Sequence, residues 1–307
     1  MIKIAFLSWH FNTPQIFLDS IIKMTPGRKG IWKNIQATTN INEADYYFIM
    51  DGYNGELPDA KNKAIYHCQH PKTPGSPQEK TFENKEAVVK LLLSKYLNPG
   101  EWWISHDYDY LTALKAPVKT KKLFVAHTYQ MHNPMYAARP QFMAEFINRY
   151  PDLEFDLYGR PSERFYNDPI LSKRYKGVLG IENYDALKGE HIIGKDALID
   201  YDYSIEFDVG PCINYFSERL YDALLLWTTP IYSGCLNMSE HLPHGGKAYY
   251  VFNPSAVDHE VDYVYKCLQQ PKYLKEIAEV RDILLNKYQM WAYCHDVVNN
   301  IEKYQGN

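Results

Sequence analysis

The sequence predicts an α/β protein of two doubly wound domains facing a cleft, with a helical segment at its C-terminus. Three observations predict it. Short apolar runs of strand length alternate with helical or polar stretches through the first half, the pattern of a parallel sheet. The stretch LKAPVKTKK at 114–122 then interrupts that pattern with four lysines and a proline in nine residues. The pattern begins again after it, and 307 residues suit two domains of ordinary size. The expected division is an N-terminal domain at 1–120, a second domain at 121–285 and a helical tail at 286–307.

Each element has its own signal. Lys3 to Leu7 alternates and then runs apolar, as a first strand. Tyr46 to Met50 is continuously apolar and ends at Asp51-Gly52, a turn signal. Lys63 to Tyr66 is a short run broken by the Pro/Gly-rich segment Pro71 to Pro77. Ala87 to Leu97 places Val88, Leu91, Leu92, Leu93 and Tyr96 at helical spacing, and Trp102 to Ser105 reads as a further strand. The basic stretch reads as a solvated loop. Beyond it, Leu123 to Ala126 is a strand. A helix from about Pro140 to Arg149 carries Phe142, Met143, Phe146 and Ile147 on one face. Glu154 to Tyr158, Tyr203 to Phe207 and Thr229 to Tyr232 are strands, Ser217 to Trp227 is a helix, and the chain from Asp258 is mostly helical. In open α/β sheets ligands bind at the carboxyl ends of strands.

Composition narrows the function classes. With 33 basic against 37 acidic residues the net charge is -4, which argues against a dedicated nucleic-acid binder. Aromatics reach 15%, far from a disordered composition. No run approaches the roughly 18–20 apolar residues of a membrane span, and MIKIAFLSWHFN reads as a strand rather than a signal peptide. The five cysteines, Cys68, Cys212, Cys235, Cys267 and Cys294, show no CxxC spacing. Neither a disulfide framework nor a zinc site is expected. Reduced thiols point to a cytoplasmic protein, with peripheral contact to a membrane through 115–122 left open.

The chemistry concentrates in Tyr201 to Gly234, which reads as strand, loop, helix, strand. Ser217 is a candidate N-cap, so Glu218 and Arg219 fall in the first turn. Unpaired N–H groups and the helix dipole favour an anion there, and Arg219 adds a cation, making a candidate pyrophosphate site. Glu218 suits a ribose or sugar hydroxyl; equally, it could be a first-turn acid that complements the dipole.

This strand–loop–helix–strand resembles the signature of the α-1,3/1,4-fucosyltransferases, family 10 of the glycosyltransferases. That signature reads approximately F-E-N-S, a variable loop, Y-x-T-E-K, a helix, then P-[IV]-x-x-G. The corresponding residues are Phe207-Asp208-Val209-Gly210, Tyr215-Phe216-Ser217-Glu218-Arg219 and Pro230-Ile231-Tyr232-Ser233-Gly234. Ser for Thr and Arg for Lys keep the chemistry, while Asp208-Val209-Gly210 departs from E-N-S. Upstream, LFVAHTYQMHNPMYAARPQFMAEF resembles the family segment whose Arg binds the donor diphosphate, which places Arg139 in that role. EFDLYGR resembles V-D-V-F-G-R/K and offers Arg160, and WWISHDYD resembles S-Y-R-x-D-S-D. The resemblance runs from about residue 60 to the end and is strongest over 200–234.

The resemblance implies a GT-B fold and inverting transfer of fucose from GDP-fucose to a glycan hydroxyl. The acceptor would lie on the first domain and the sugar nucleotide on the second. Arg139 and Arg219, with Arg160, would supply fixed charge to the departing diphosphate, so that no divalent cation is required. Tyr215 could donate to the diphosphate and Glu218 accept from a sugar hydroxyl. In KAIYHCQHP the family's general-base Glu is replaced by Gln69 or His70. The candidate bases are therefore His70, its neighbour His67, and Asp51 at a strand end.

Three other readings are weighed. Asp107-Tyr108-Asp109 and Asp200-Tyr201-Asp202 have the spacing of a metal-dependent GT-A site, although the motif order fits GT-B better. The fold could carry another nucleotide sugar, UDP- or GDP-linked. The aromatic excess and the missing Glu would also suit a non-catalytic glycan-binding relative.

Overall fold

The computed structural model describes residues 1–68, 82, 85–132, 134–179 and 194–305. Two six-stranded sheets organise it. The first has strand order β2-β3-β1-β4-β5-β6, and the second β12-β11-β10-β7-β8-β9. In the first sheet β1 is Ile2–Ser8, β2 Ile31–Trp32, β3 Ile35–Ala37, β4 Tyr46–Met50, β5 Ala64–His67 and β6 Val89–Leu91. In the second, β7 is Lys121–Thr128, β8 Asp156–Arg160, β9 Tyr175–Gly177, β10 Tyr201–Cys212, β11 Thr229–Cys235 and β12 Tyr250–Val251. Among the described residues every strand pairing is parallel except β2 with β3.

Parallel strands are covered on both faces, so their residues run largely apolar. Side chains still alternate between faces. In β1, Ile4 and Phe6 enter a central core shared with both halves of the chain, while Ala5 and Leu7 enter a second core on the opposite face. Leu123, Val125, Tyr203, Ile205 and Phe207 enter a third core, closed by Phe142 and Phe146. The C-terminal helix Met290–Asn299 returns to the first sheet. There Trp291 packs on Phe6, with ring centroids 4.6 Å apart, and donates its indole N–H to Ile21 O at 2.9 Å.

Four expectations need correction. The 87–97 stretch is not a helix: Val89–Leu91 pairs in parallel with Ile65, Tyr66 and His67, and the sheet edge overrides the apparent period. Trp102 to Ser105 is not a strand. Its backbone N–H groups are taken by side chains of the second half: Asp222 Oδ1 accepts from Trp103 and Ile104 at 2.8 and 3.3 Å, and Asp196 Oδ1 from Ser105 at 2.9 Å. The helix placed at Pro140 begins at Pro134 and carries Pro140 inside it, so Arg139 lies within the helix. Finally, the basic loop is not wholly solvated. Lys119 Nζ donates to Leu198 O, Ile199 O, Leu226 O and Thr228 Oγ1 at 2.7–3.3 Å.

Both sheets reverse direction at a central pair. The chain winds from β1 to β3 on one side, then resumes with β4 on the other; it winds from β7 to β8 and β9, then resumes with β10 on the other side of β7. The carboxyl ends of β1 and β4, and of β7 and β10, are therefore topological switch points, where open sheets leave a crevice.

Candidate active site

The two switch points share one cavity of about 420 Å³. Arg139, Arg160, Tyr215, Glu218 and Arg219 all line it. The structure thus brings together five residues separated by up to 80 positions in the chain. His70 and Gln69 lie outside the described residues. Asp51 is fully buried behind the wall and does not line the cavity.

Local folding explains the second-domain side. Ser217 caps the helix Glu218–Leu225, its hydroxyl accepting from Arg219 N. Asp208 locks the approach to that cap. It accepts from Ser217 N at 3.1 Å and Val209 N at 2.9 Å, and the Tyr232 hydroxyl donates to it. Burial raises its carboxyl, partly offset by the Tyr232 bond. The departure from E-N-S at Asp208 therefore has a structural use: it fixes the helix N-terminus.

Arg139 is 2% exposed and donates Nη2 to Asp208 O at 2.7 Å, while its Nε has no partner. Burial, then the neighbouring Arg219, push its guanidinium down to about 10, still charged at neutral pH. Burial also opposes charge on Arg219, but Glu218, Glu206, Asp208 and Asp222 outweigh it and hold its pKa above the ordinary value. Two cations held close in a partly dry cleft repel each other, and an anion between them removes that cost. Burial likewise penalises Glu218, yet Lys195 and Arg219 outweigh it and keep it ionised; Lys195 Nζ is 3.0 Å from Glu218 and 2.9 Å from Asp222. Tyr215 keeps its phenol proton, because burial pushes it well up.

A 90 Å³ annex continues the cavity between β7, β8 and the Glu218 helix. Trp103, Tyr158, Val178 and Leu179 give it apolar walls, and Lys195 and Glu218 a polar end.

On the first-domain side the cavity is lined by His10 and Phe11, just after β1. His10 Nε2 lies 3.2 Å from Asp51 Oδ2 and 2.8 Å from the Trp9 indole nitrogen. One proton sets the choice: Nε2 accepts from Trp9, or carries a proton and donates to Asp51. Asp51 follows β4 in a left-handed conformation, φ 58°, which Asp tolerates better than most residues. His67 is corrected as a base. It is fully buried against Phe48, and burial pushes it down to about 4.

The sequence reading missed His10, Trp103, Lys195 and Asp222. Position alone could have found His10, which follows the first strand at its carboxyl end. Asp222 looked like an interruption of an apolar helix. Both D-Y-D pairs serve the scaffold. Asp107 caps a helix through Tyr110 N and pairs with Arg28, Asp109 accepts from Gly27 N, and Asp202 lies 3.6 Å from Lys272. Among the described residues no cluster of three or more His, Cys, Asp or Glu could hold a metal, and no helix is long and apolar enough to cross a membrane.

No protein-family model matches the chain, and no curated protein matches it by sequence. Solved structures do match. HepE of Anabaena, in complex with UDP, superposes with a TM-score of 0.54 at 10% identity, covering 99% of this chain and 100% of that one. An α1,3-fucosyltransferase solved with GDP-fucose gives 0.42 at 13% identity, covering 94% and 92%. TarM gives 0.46 at 11% identity over 83% of this chain, which spans only about half, 54%, of that protein. At such identities the likeness is one of fold, and the two facing parallel α/β domains with their C-terminal helices have the GT-B arrangement.

Proposed function

We propose that the chain is an inverting glycosyltransferase that uses a nucleoside-diphosphate sugar, with GDP-fucose the first donor to try, and a glycan hydroxyl as acceptor. The observation that carries this reading is the pair Arg139 and Arg219 at the N-terminus of the Glu218 helix, in a cavity shared by two switch points. The diphosphate would lie against those guanidiniums and the helix N–H groups, with no divalent cation required. The annex would take the nucleoside, with Glu218 accepting from a hydroxyl.

Transfer is one displacement. The acceptor oxygen bonds to the anomeric carbon as the bond to the diphosphate oxygen breaks. The electron pair leaves with the nucleoside diphosphate, and the acceptor proton goes to a base on the first domain. His10 is the base we assign. In this role the Trp9 indole N–H, which donates to Nε2 in the structure, turns away; Nε2 then carries a proton directed at Asp51, and the ring keeps its lone pair on Nδ1. Asp51, expected as a base, becomes a positioning residue. HepE, solved with UDP, favours a second reading in which the donor is UDP-linked.

The test is incubation with GDP- and UDP-linked sugars and oligosaccharide acceptors, reading nucleotide release and the anomeric configuration of the product by NMR. Transfer with inverted configuration is expected. Retained configuration contradicts the displacement. No release from any sugar nucleotide, with nucleotide affinity unaltered in Arg219→Ala, contradicts the enzyme reading.

A further inference from the structure

His10, which lines the cleft from the first domain, is offered two bonds of opposite sense on one atom. Its Nε2 lies 2.8 Å from the Trp9 indole nitrogen and 3.2 Å from Asp51 Oδ2. An indole N–H can only donate, and an ionised carboxylate can only accept. Nε2 therefore serves Trp9 when it is bare and Asp51 when it is protonated, never both at once. With the indole in place, the neutral ring holds its proton on Nδ1. In that tautomer Nδ1 has no lone pair to offer, and the lone pair on Nε2 is covered by Trp9.

The turns that end two paired strands build this contact. Trp9 and His10 follow β1, Asp51 and Gly52 follow β4, and the last residues of those strands, Ser8 and Met50, are partners in register. Gly52 has φ 143°, and a Cβ on it would lie 3.3 Å from Trp9 Cε3, so the indole is seated on the turn where a glycine leaves it room. Asp51 is fully buried, whereas Trp9 is 39% exposed. The carboxylate is thus the fixed partner of His10 and the indole the movable one. Its N–H can pass to a ligand that arrives from solvent beside the cleft.

We propose that Trp9 is a positioning residue that masks His10 until a saccharide acceptor takes over the indole N–H. The inference rests on the transferase reading, with His10 as the base. A hydroxyl oxygen of the acceptor accepts from the indole N–H, and the exposed part of the indole gives the apolar face of a sugar a surface to lie against. The Nδ1 proton then leaves to solvent, Nε2 takes one up and donates it to Asp51, and the lone pair now on Nδ1 receives the acceptor proton during transfer. A donor bound alone meets a masked base, so water is poorly activated and the sugar nucleotide is spared hydrolysis.

The test compares the native protein with Trp9→Phe, which keeps a ring and removes the N–H. In alkaline buffer, where imidazoles are neutral, nitrogen NMR of the histidine rings reads the tautomer, and the His10 signals are those lost in His10→Gln. The expected result is a proton on Nδ1 in the native protein and on Nε2 in Trp9→Phe. In turnover, nucleotide release from the sugar nucleotide without acceptor should rise at least about tenfold in Trp9→Phe, the acceptor KM should rise, and nucleotide affinity should stay the same. A proton on Nε2 in the native protein, or one kept on Nδ1 in the variant, overturns the mask. A changed tautomer with hydrolysis or acceptor KM unchanged overturns its part in the reaction and leaves the transferase reading standing. No turnover of any GDP- or UDP-linked sugar by the native protein overturns the transferase reading itself, and this inference with it.

Discussion

Arg139 and Arg219 repel each other in a cleft where burial already penalises charge, and that is the residue-scale basis of the functional reading. Arg219→Ala or Arg139→Ala should weaken nucleoside-diphosphate binding by roughly 1.5–3 kcal/mol each, the scale of a hydrogen bond to a charged group. Calorimetry of GDP and UDP binding checks this. His10→Ala should lower kcat by about 10²-fold or more while nucleotide affinity stays the same; a fall in affinity with kcat intact would move His10 to a binding role. A third prediction concerns stability. His67 and His127 have folded pKa values pushed by burial to about 4 and about 3, below the unfolded value of roughly 6.5. The unfolded chain therefore binds more protons between those values, and stability falls as pH drops below about 6.5. Glu206 runs the other way. Burial raises it to about 7, so it removes stability as pH rises from about 4.5 towards 7. In Glu206→Gln that opposing effect is gone, and urea denaturation should show a larger gain in stability from pH 5 to pH 7 than in the native protein.

At the scale of elements, the crossing between the two halves of the chain is the most constrained segment. Gly100 bridges to Gln289, and a Cβ on it would lie 1.9 Å from the Tyr221 ring. Gly100→Ala should therefore destabilise by several kcal/mol through overpacking, measured as a lowered denaturation midpoint. Next to it, Asp222 ties Trp103 and Ile104 to the Glu218 helix and pairs with the buried Lys195. Most regular elements were legible in the sequence because strand and helix periods are local: Tyr46–Met50, the Ser217 cap and the Tyr201–Gly234 unit all read correctly, give or take their ends. The segments misread, 87–97 and 102–105, are those whose backbone partners lie far away in sequence. A parallel edge pairing overrode one apparent period. A carboxylate 118 or more residues away supplied the partners of the other. For the same reason the cleft arginines were legible, each within its own local segment, whereas His10 and Asp51, 41 positions apart, form their contact only after β1 and β4 pair.

At the scale of the whole molecule, two parallel sheets bring their switch points to one cavity, and the helix Met290–Asn299 returns from the second half to close the core of the first. A ligand that binds the folded chain alone stabilises it by about 2.7 kcal/mol at 100 times its dissociation constant, a shift of roughly 4 °C in melting temperature for a chain this large. The most direct test of the central claim is therefore calorimetric titration of GDP and UDP into the native protein and Arg219→Ala, in EDTA. Saturable binding of one of these nucleotides without metal, weakened about tenfold or more in Arg219→Ala, is the predicted result. Binding that appears only with a divalent cation, or that is unchanged in Arg219→Ala, would contradict it.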